Sequence, residues 1–196
     1  MATVGSASNP VAIFQADLRS LPIEDVIRKH ISTGRPISFS DDEYFELRNT
    51  VSTEFQLHPS SVVVVGSTRI GFSLNSKHRY LPVRTNSDID VAIISQECFD
   101  DYWERVFRYA KSNIAWEAQG KFKSDLFNGW IDPRFLPSAR TFDAAVRWSR
   151  FFDDLTQSRK YGRRSITARL YLSWSRLEAY QERSVLACKA SLGISK

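Results

Sequence analysis

Two short apolar runs constrain this chain most: Val62-Val63-Val64-Val65 and Ile89-Asp90-Val91-Ala92-Ile93-Ile94. Both have strand length and are rich in β-branched residues, whose stiff side chains suit a pleated backbone. They read as buried strands. Longer segments with helical apolar spacing precede and follow them, so the expected class is α/β: a small mixed β-sheet with flanking helices. Residues 1–10 read as a flexible tail. Residues 11–196 read as one domain, with a helical N-terminal part (11–60) and a core with C-terminal helices (61–196).

The punctuation along the chain is mostly local. Helices are expected over 10–20 and 22–32, with Pro22 in a first turn where its missing N–H costs nothing. Gly34-Arg35-Pro36 breaks the chain. Ser40 and Glu43 form a capping box, predicting a helix to about Leu57 with Tyr44, Phe45, Leu47, Val51 and Phe55 turned inward. A short helix is expected over 68–75, then a basic loop over 75–86 carrying Lys77, His78, Arg79 and Arg84. Ser95 caps a helix whose stripe is Phe99, Trp103, Val106, Phe107 and Ala110. Residues 113–137, with Gly120, Gly129, Pro133 and Pro137, read as irregular. A helix over 138–158, a strand over 166–172 and a helix over 175–192 complete the chain, and Trp103, Trp148 and Trp174 are expected in the core.

Composition narrows the function classes. Cys98 and Cys188 are the two cysteines of the chain, too few and too far apart for a disulfide framework or a cysteine-built metal site. His30, His58 and His78 show no metal spacing. No apolar run approaches membrane-spanning length, and the N-terminus has no signal-peptide pattern, so no membrane association and a cytoplasmic location are expected. Charge is unevenly spread. Residues 1–60 hold five Lys/Arg against eight Asp/Glu, while residues 121–170 hold eleven against five. The basic residues over 134–169, Arg159, Lys160, Arg163 and Arg164 among them, mark a possible nucleic-acid backbone contact.

The chemistry sits where the two apolar runs begin and end. The first delivers Gly66-Ser67 into a turn. Glycine lets backbone come close to a ligand, and Ser67 offers a hydroxyl and an N–H to phosphate. The second is entered through Ser87-Asp88 and carries Asp90. Side chains two apart on a strand share a face, so Asp88 and Asp90 present two carboxylates together while Ile89 and Val91 face the core. Two hard oxygen ligands beside a phosphate cradle suit Mg²⁺ or Mn²⁺ with a nucleoside triphosphate (NTP). Arg69, two residues past Ser67, and Ser87 are further nucleotide-binding candidates.

Gly-Ser after a strand, followed by an apolar strand with an Asp-x-Asp pair, resembles the DNA polymerase β-like nucleotidyltransferase superfamily. The longer string GSTRIGFSLN…SDIDVAIIS is similar to small bacterial members of it. The resemblance covers residues 62–94. It implies that Gly66 and Ser67 hold a triphosphate, and that Asp88 and Asp90 are the catalytic, metal-binding acids. It further implies transfer of a nucleoside monophosphate (NMP) to a hydroxyl on protein, nucleic acid or a small molecule, with a partner protein as in bacterial defence or toxin–antitoxin systems. The family's third carboxylate is not evident. The strand over 166–172 carries Thr167, Arg169 and Tyr171 on one face, with Arg169 where an acid is expected. Asp132 is the best substitute, with Asp125 and Asp143 behind it. The alternative reading is therefore a catalytically silent NTP-binding or protein-interaction scaffold of the same fold.

Overall fold

A computed structural model describes residues 9–112, 115–138 and 142–194. Most of the expected tail therefore lies outside the described residues. Helix α1 (Pro10–Ser20) opens at Asn9, whose side chain accepts from the Val11 N–H. Pro22 stands at the N-cap of α2 (Ile23–Ile27), one position earlier than expected, and the chain continues as a π-helical turn to Ser32. Helix α3 (Asp41–Glu54) begins with the expected capping box: the Ser40 hydroxyl accepts from the Glu43 N–H, and the Glu43 carboxylate accepts from the Ser40 N–H. Strand β1 (Val62–Val65) and the single helical turn α4 (Ser67–Ile70) follow, then β2 (Ile89–Ile94). Helix α5 (Gln96–Lys111) is capped by Ser95, which accepts from the Cys98 N–H.

Residues 113–137 are not irregular as expected. They contain helix α6 (Gln119–Asn128), strand β3 (Trp130–Ile131) and a 3₁₀ turn (Pro133–Phe135). Gly129 is the reason the helix stops there: at φ +88° it takes the left-handed cap conformation and turns the chain into β3. Helix α7 (Asp143–Gln157), strand β4 (Ile166–Tyr171) and helix α8 (Trp174–Ser191) complete the order.

Among the described residues the strands form one mixed sheet in the order β1-β2-β4-β3. β1 runs antiparallel to β2, β2 parallel to β4, and β3 antiparallel to β4. Alternation along the strands sorts side chains to two faces. Val62, Val64, Ile89, Val91, Ile93, Ile166 and Leu170 meet the inward faces of α3, α5 and α7, including Leu47, Phe99, Trp148 and Phe152. Val63, Val65, Ala92, Ile94 and Tyr171 meet α1, α2 and α8 through Phe14, Leu18, Ile27, Leu177 and Val185. All four valines of β1 are buried, each contributing roughly 1.5–3 kcal/mol, which holds a four-residue edge strand in place.

Several expected core residues lie outside. Phe45 is 67% exposed, Trp103 49% and Trp174 41%, whereas Trp148 is buried as expected. Periodicity finds the apolar stripe of a helix, but the stripe's outer edge belongs to solvent unless a neighbouring element covers it. Among the described residues, no helix is long and apolar enough to cross a membrane.

Candidate nucleotide and metal site

The C-terminal end of β1 and the N-terminal ends of β2 and β4 meet at one end of the sheet. β1 ends there at Val65, opposite Asp90, and Gly66-Ser67 follows at once. β2 and β4 begin there, with Asp90 opposite Thr167. β3 ends one residue before Asp132. Residues 66, 67, 88, 90 and 167 therefore gather by topology, and Asp132 joins them through its bond to Arg169, two residues past Thr167 on β4.

Gly66 has φ +72° and ψ −158°, a region that only glycine occupies comfortably. A Cβ there would also collide with the carboxylate of Asp90. Ser67, half-buried, opens α4. That helix is one turn long, so the aligned helix N-terminus expected behind the phosphate is reduced to the first N–H groups of a tight turn, closed by Gly71 donating to the Ser67 carbonyl at 2.8 Å. Ser87 closes the turn before β2. Its hydroxyl accepts from the Arg84 N–H at 3.0 Å, and its own N–H donates to the Arg84 carbonyl at 3.0 Å. Arg164 donates to the Thr85 carbonyl and ties this turn to the start of β4.

Arg69 is committed elsewhere. The residue is 4% exposed, and its guanidinium donates to the carbonyls of His30 (3.2 Å) and Gly34 (2.5 Å), pinning the π-helical turn and the break after it. Burial lowers its pKa.

Asp88 is exposed and Asp90 half-buried. The Thr167 hydroxyl donates to Asp90 Oδ1 at 3.4 Å. Burial pushes the Asp90 carboxyl above its usual range. The Arg169 guanidinium and the Thr167 bond pull the other way, while the charge of Asp88 adds to the rise. Next to this pair lies a second network. Asp132, 4% exposed, accepts from Arg134 through Nε (2.9 Å) and Nη2 (2.5 Å), and from Arg169 Nε at 2.8 Å. Burial alone would raise the Asp132 carboxyl, but these bonds outweigh it and hold its pKa low. Arg169 lies over the Tyr180 ring, 5.2 Å from its centroid. Burial opposes its charge, yet Tyr180 and Asp132 raise its pKa above the ordinary value.

Asp88 precedes β2 rather than lying on the strand as expected, yet its charge bears on Asp90, and the two carboxylates are oxygen ligands of the kind a hard divalent cation takes. A site for two cations would need another free carboxylate. Among the described residues no three His, Cys, Asp or Glu side chains come together to hold a metal. Asp132 is the substitute expected from sequence, and the topology does bring it to this edge, but two guanidinium groups hold it. Asp125, the next candidate, is paired with Lys121 on α6, and Asp143 lies at the start of α7. Two cavities, of about 350 and 300 Å³, are lined by neither Asp88 nor Asp90. The larger lies on the opposite side of the sheet, between Phe55, Tyr102 and Trp148.

Much of the basic stretch over 134–169 is engaged in ion pairs: Arg134 and Arg169 with Asp132, Arg147 with Glu54, and Lys160 with Glu46. Arg159 and Arg163 are exposed.

The fold and site together describe an α/β protein with a small mixed sheet, helices on both faces, and an acidic pair beside a glycine turn. No protein-family model matches the chain, and neither a curated protein nor a solved structure matches it.

Proposed function

We propose that this chain binds an NTP with one Mg²⁺ or Mn²⁺ on Asp88 and Asp90, and transfers the NMP to a hydroxyl acceptor. The observation that carries the reading is the meeting of Gly66-Ser67 with Asp90 and Asp88 at one sheet edge, with Gly66 fitted against the Asp90 carboxylate. In the reaction the acceptor oxygen bonds to the α-phosphorus, the bond to the bridging oxygen breaks, pyrophosphate leaves, and the hydroxyl proton passes to water. The bound cation supplies charge neutralisation. The chain's own residues hold and orient: the turn at Gly66-Ser67 faces the phosphates, and the Thr167 hydroxyl donates to Asp90. The acceptor belongs to a protein, a nucleic acid or a small molecule, and a defence or toxin–antitoxin partner is a natural source of it.

The pairing of Asp132 with two arginines favours a second reading, a nucleotide-binding scaffold that does not turn over, because the expected third carboxylate is engaged and is not free to take the acceptor's proton. Calorimetric titration with ATP and GTP, with and without Mg²⁺, tests binding. Incubation with each α-labelled NTP and cell lysate tests transfer. Label that disappears in Asp88→Ala supports the transferase. Metal-dependent binding without label supports the scaffold. Binding that is unaffected by metal or by Asp90→Ala removes both.

A further inference from the structure

The network at Asp132 sets two guanidinium groups on one carboxylate. Arg134 alone meets that carboxylate through two bonds, and Arg169 adds a second guanidinium through Nε. Asp132 meets both guanidinium groups, and the Asp90 carboxylate is a second negative charge within reach of Arg169, so Arg169 stands between the two acids at the half-buried strand end. Arg169 lies opposite Ala92 and on the same face of β4 as Thr167, the neighbour of Asp90. It is therefore the diagonal neighbour of Asp90 across a parallel pair, within reach for a long side chain. Asp132 engages the Nε edge of this guanidinium and the Tyr171 hydroxyl lies beside it, which together occupy part of a fixed plane of five donors; a planar, multidentate cation of this kind is well suited to phosphate oxygens. The Tyr180 ring beneath it holds the plane in place.

A triphosphate brings several negative charges to a site that already holds Asp88 and Asp90, and a single divalent cation does not balance them. We infer that Arg169, held in position by Asp132 and Tyr180, binds the phosphate chain of the nucleotide and stands where a further metal ion would otherwise be needed. This rests on the nucleotide reading above and adds to it a definite stoichiometry, one metal and one guanidinium.

The test uses the full chain, Mn²⁺ and an ATP analogue with a methylene bridge between the α- and β-phosphates. Electron paramagnetic resonance counts Mn²⁺ per chain, and calorimetry gives analogue affinity. One Mn²⁺ per nucleotide-bound chain is expected. Arg169→Met should weaken the analogue by about tenfold or more, the loss expected for a charged hydrogen bond, with Arg169→Lys in between. Mn²⁺ affinity without nucleotide should not fall in either variant. Circular dichroism establishes that each variant is folded; should Arg169→Met unfold, the Mn²⁺ count and Arg169→Lys decide. Two Mn²⁺ per chain, or unchanged analogue affinity in the folded variants, overturns the role of Arg169. If binding still depends on Asp90 in that case, the nucleotide reading survives alone. If the unsubstituted chain binds no analogue, or Asp90→Ala binds it equally well, the nucleotide reading falls and this inference falls with it.

Discussion

A Cβ built on Gly66 would stand 2.6 Å from Oδ2 of Asp90. The glycine of the turn and the second acid of the strand are thus one contact. The first service of Gly66 is to make room for a carboxylate, and its left-handed φ leaves little freedom to yield. A nucleotide would then meet a surface shaped by Asp90 as much as by bare backbone.

Gly66→Ala is expected to destabilise the protein by roughly 1–3 kcal/mol from backbone strain alone, with the clash adding to it. Asp90→Ala removes the colliding atoms, so the double variant should be less destabilised than the sum of the two, by about 0.5–3 kcal/mol. Urea denaturation of the four proteins checks this. Strict additivity would show that the two residues do not meet.

Asp132→Ala is expected to cost about 2–4 kcal/mol, below the value for a fully buried pair because the Arg134 side chain is 69% exposed. A carboxyl whose folded pKa is depressed stabilises above its unfolded pKa and loses that contribution as pH falls through the folded value. Asp132→Asn should therefore be less stable than the unsubstituted protein at neutral pH, with the gap narrowing as pH drops below about 4. A gap that widens under acid would contradict the network.

Asp90 has the opposite sign. Its folded pKa is raised, so its favourable contribution is complete below the ordinary value of 3.8 and is lost as pH rises through the folded value. In metal-free buffer Asp90→Asn should be more stable than the unsubstituted protein at neutral pH, with the advantage gone below about pH 4. Denaturant midpoints across a pH series measure it. An Asn variant that is less stable at pH 7 would mean that Arg169 and Thr167 more than offset the burial.

Arg69→Met is expected to lower stability by roughly 2–4 kcal/mol, since two charged bonds to backbone carbonyls are lost from a buried position. Nucleotide affinity, measured by calorimetry well below the melting temperature, should stay within about twofold. A larger loss of affinity in a folded variant would restore Arg69 as a phosphate ligand.

What could be read from sequence was set by how far apart the partners lie. Ser40 and Glu43, Ser95, and the two β-branched runs act within a few residues, so capping and strand formation were legible. Helix α6 is not legible because Gly120, Gly129 and Pro133 read as the marks of a loop. Gly129 instead ends the helix and Pro133 starts a 3₁₀ turn, while Phe122 is buried on the helix between them. The fate of Arg69 was hidden because its acceptors, His30 and Gly34, lie 39 and 35 residues away. Asp132 was legible as a candidate acid. Its engagement by Arg169 was not, since it depends on a two-residue strand whose pairing no local pattern signals.

The parallel join of β2 to β4 also sets the order in which the chain can be built. Asp90 leaves the ribosome 77 residues before its partner Thr167. Until β4 arrives, β2 can pair only with β1 and offers its other edge, apolar along most of IDVAII, to any neighbouring strand. Such an edge invites misassembly of nascent chains, and a charge placed within it is the common safeguard. Asp90 sits within that edge, so the carboxylate that is costly to bury in the finished protein is also a charge of the kind that discourages such pairing.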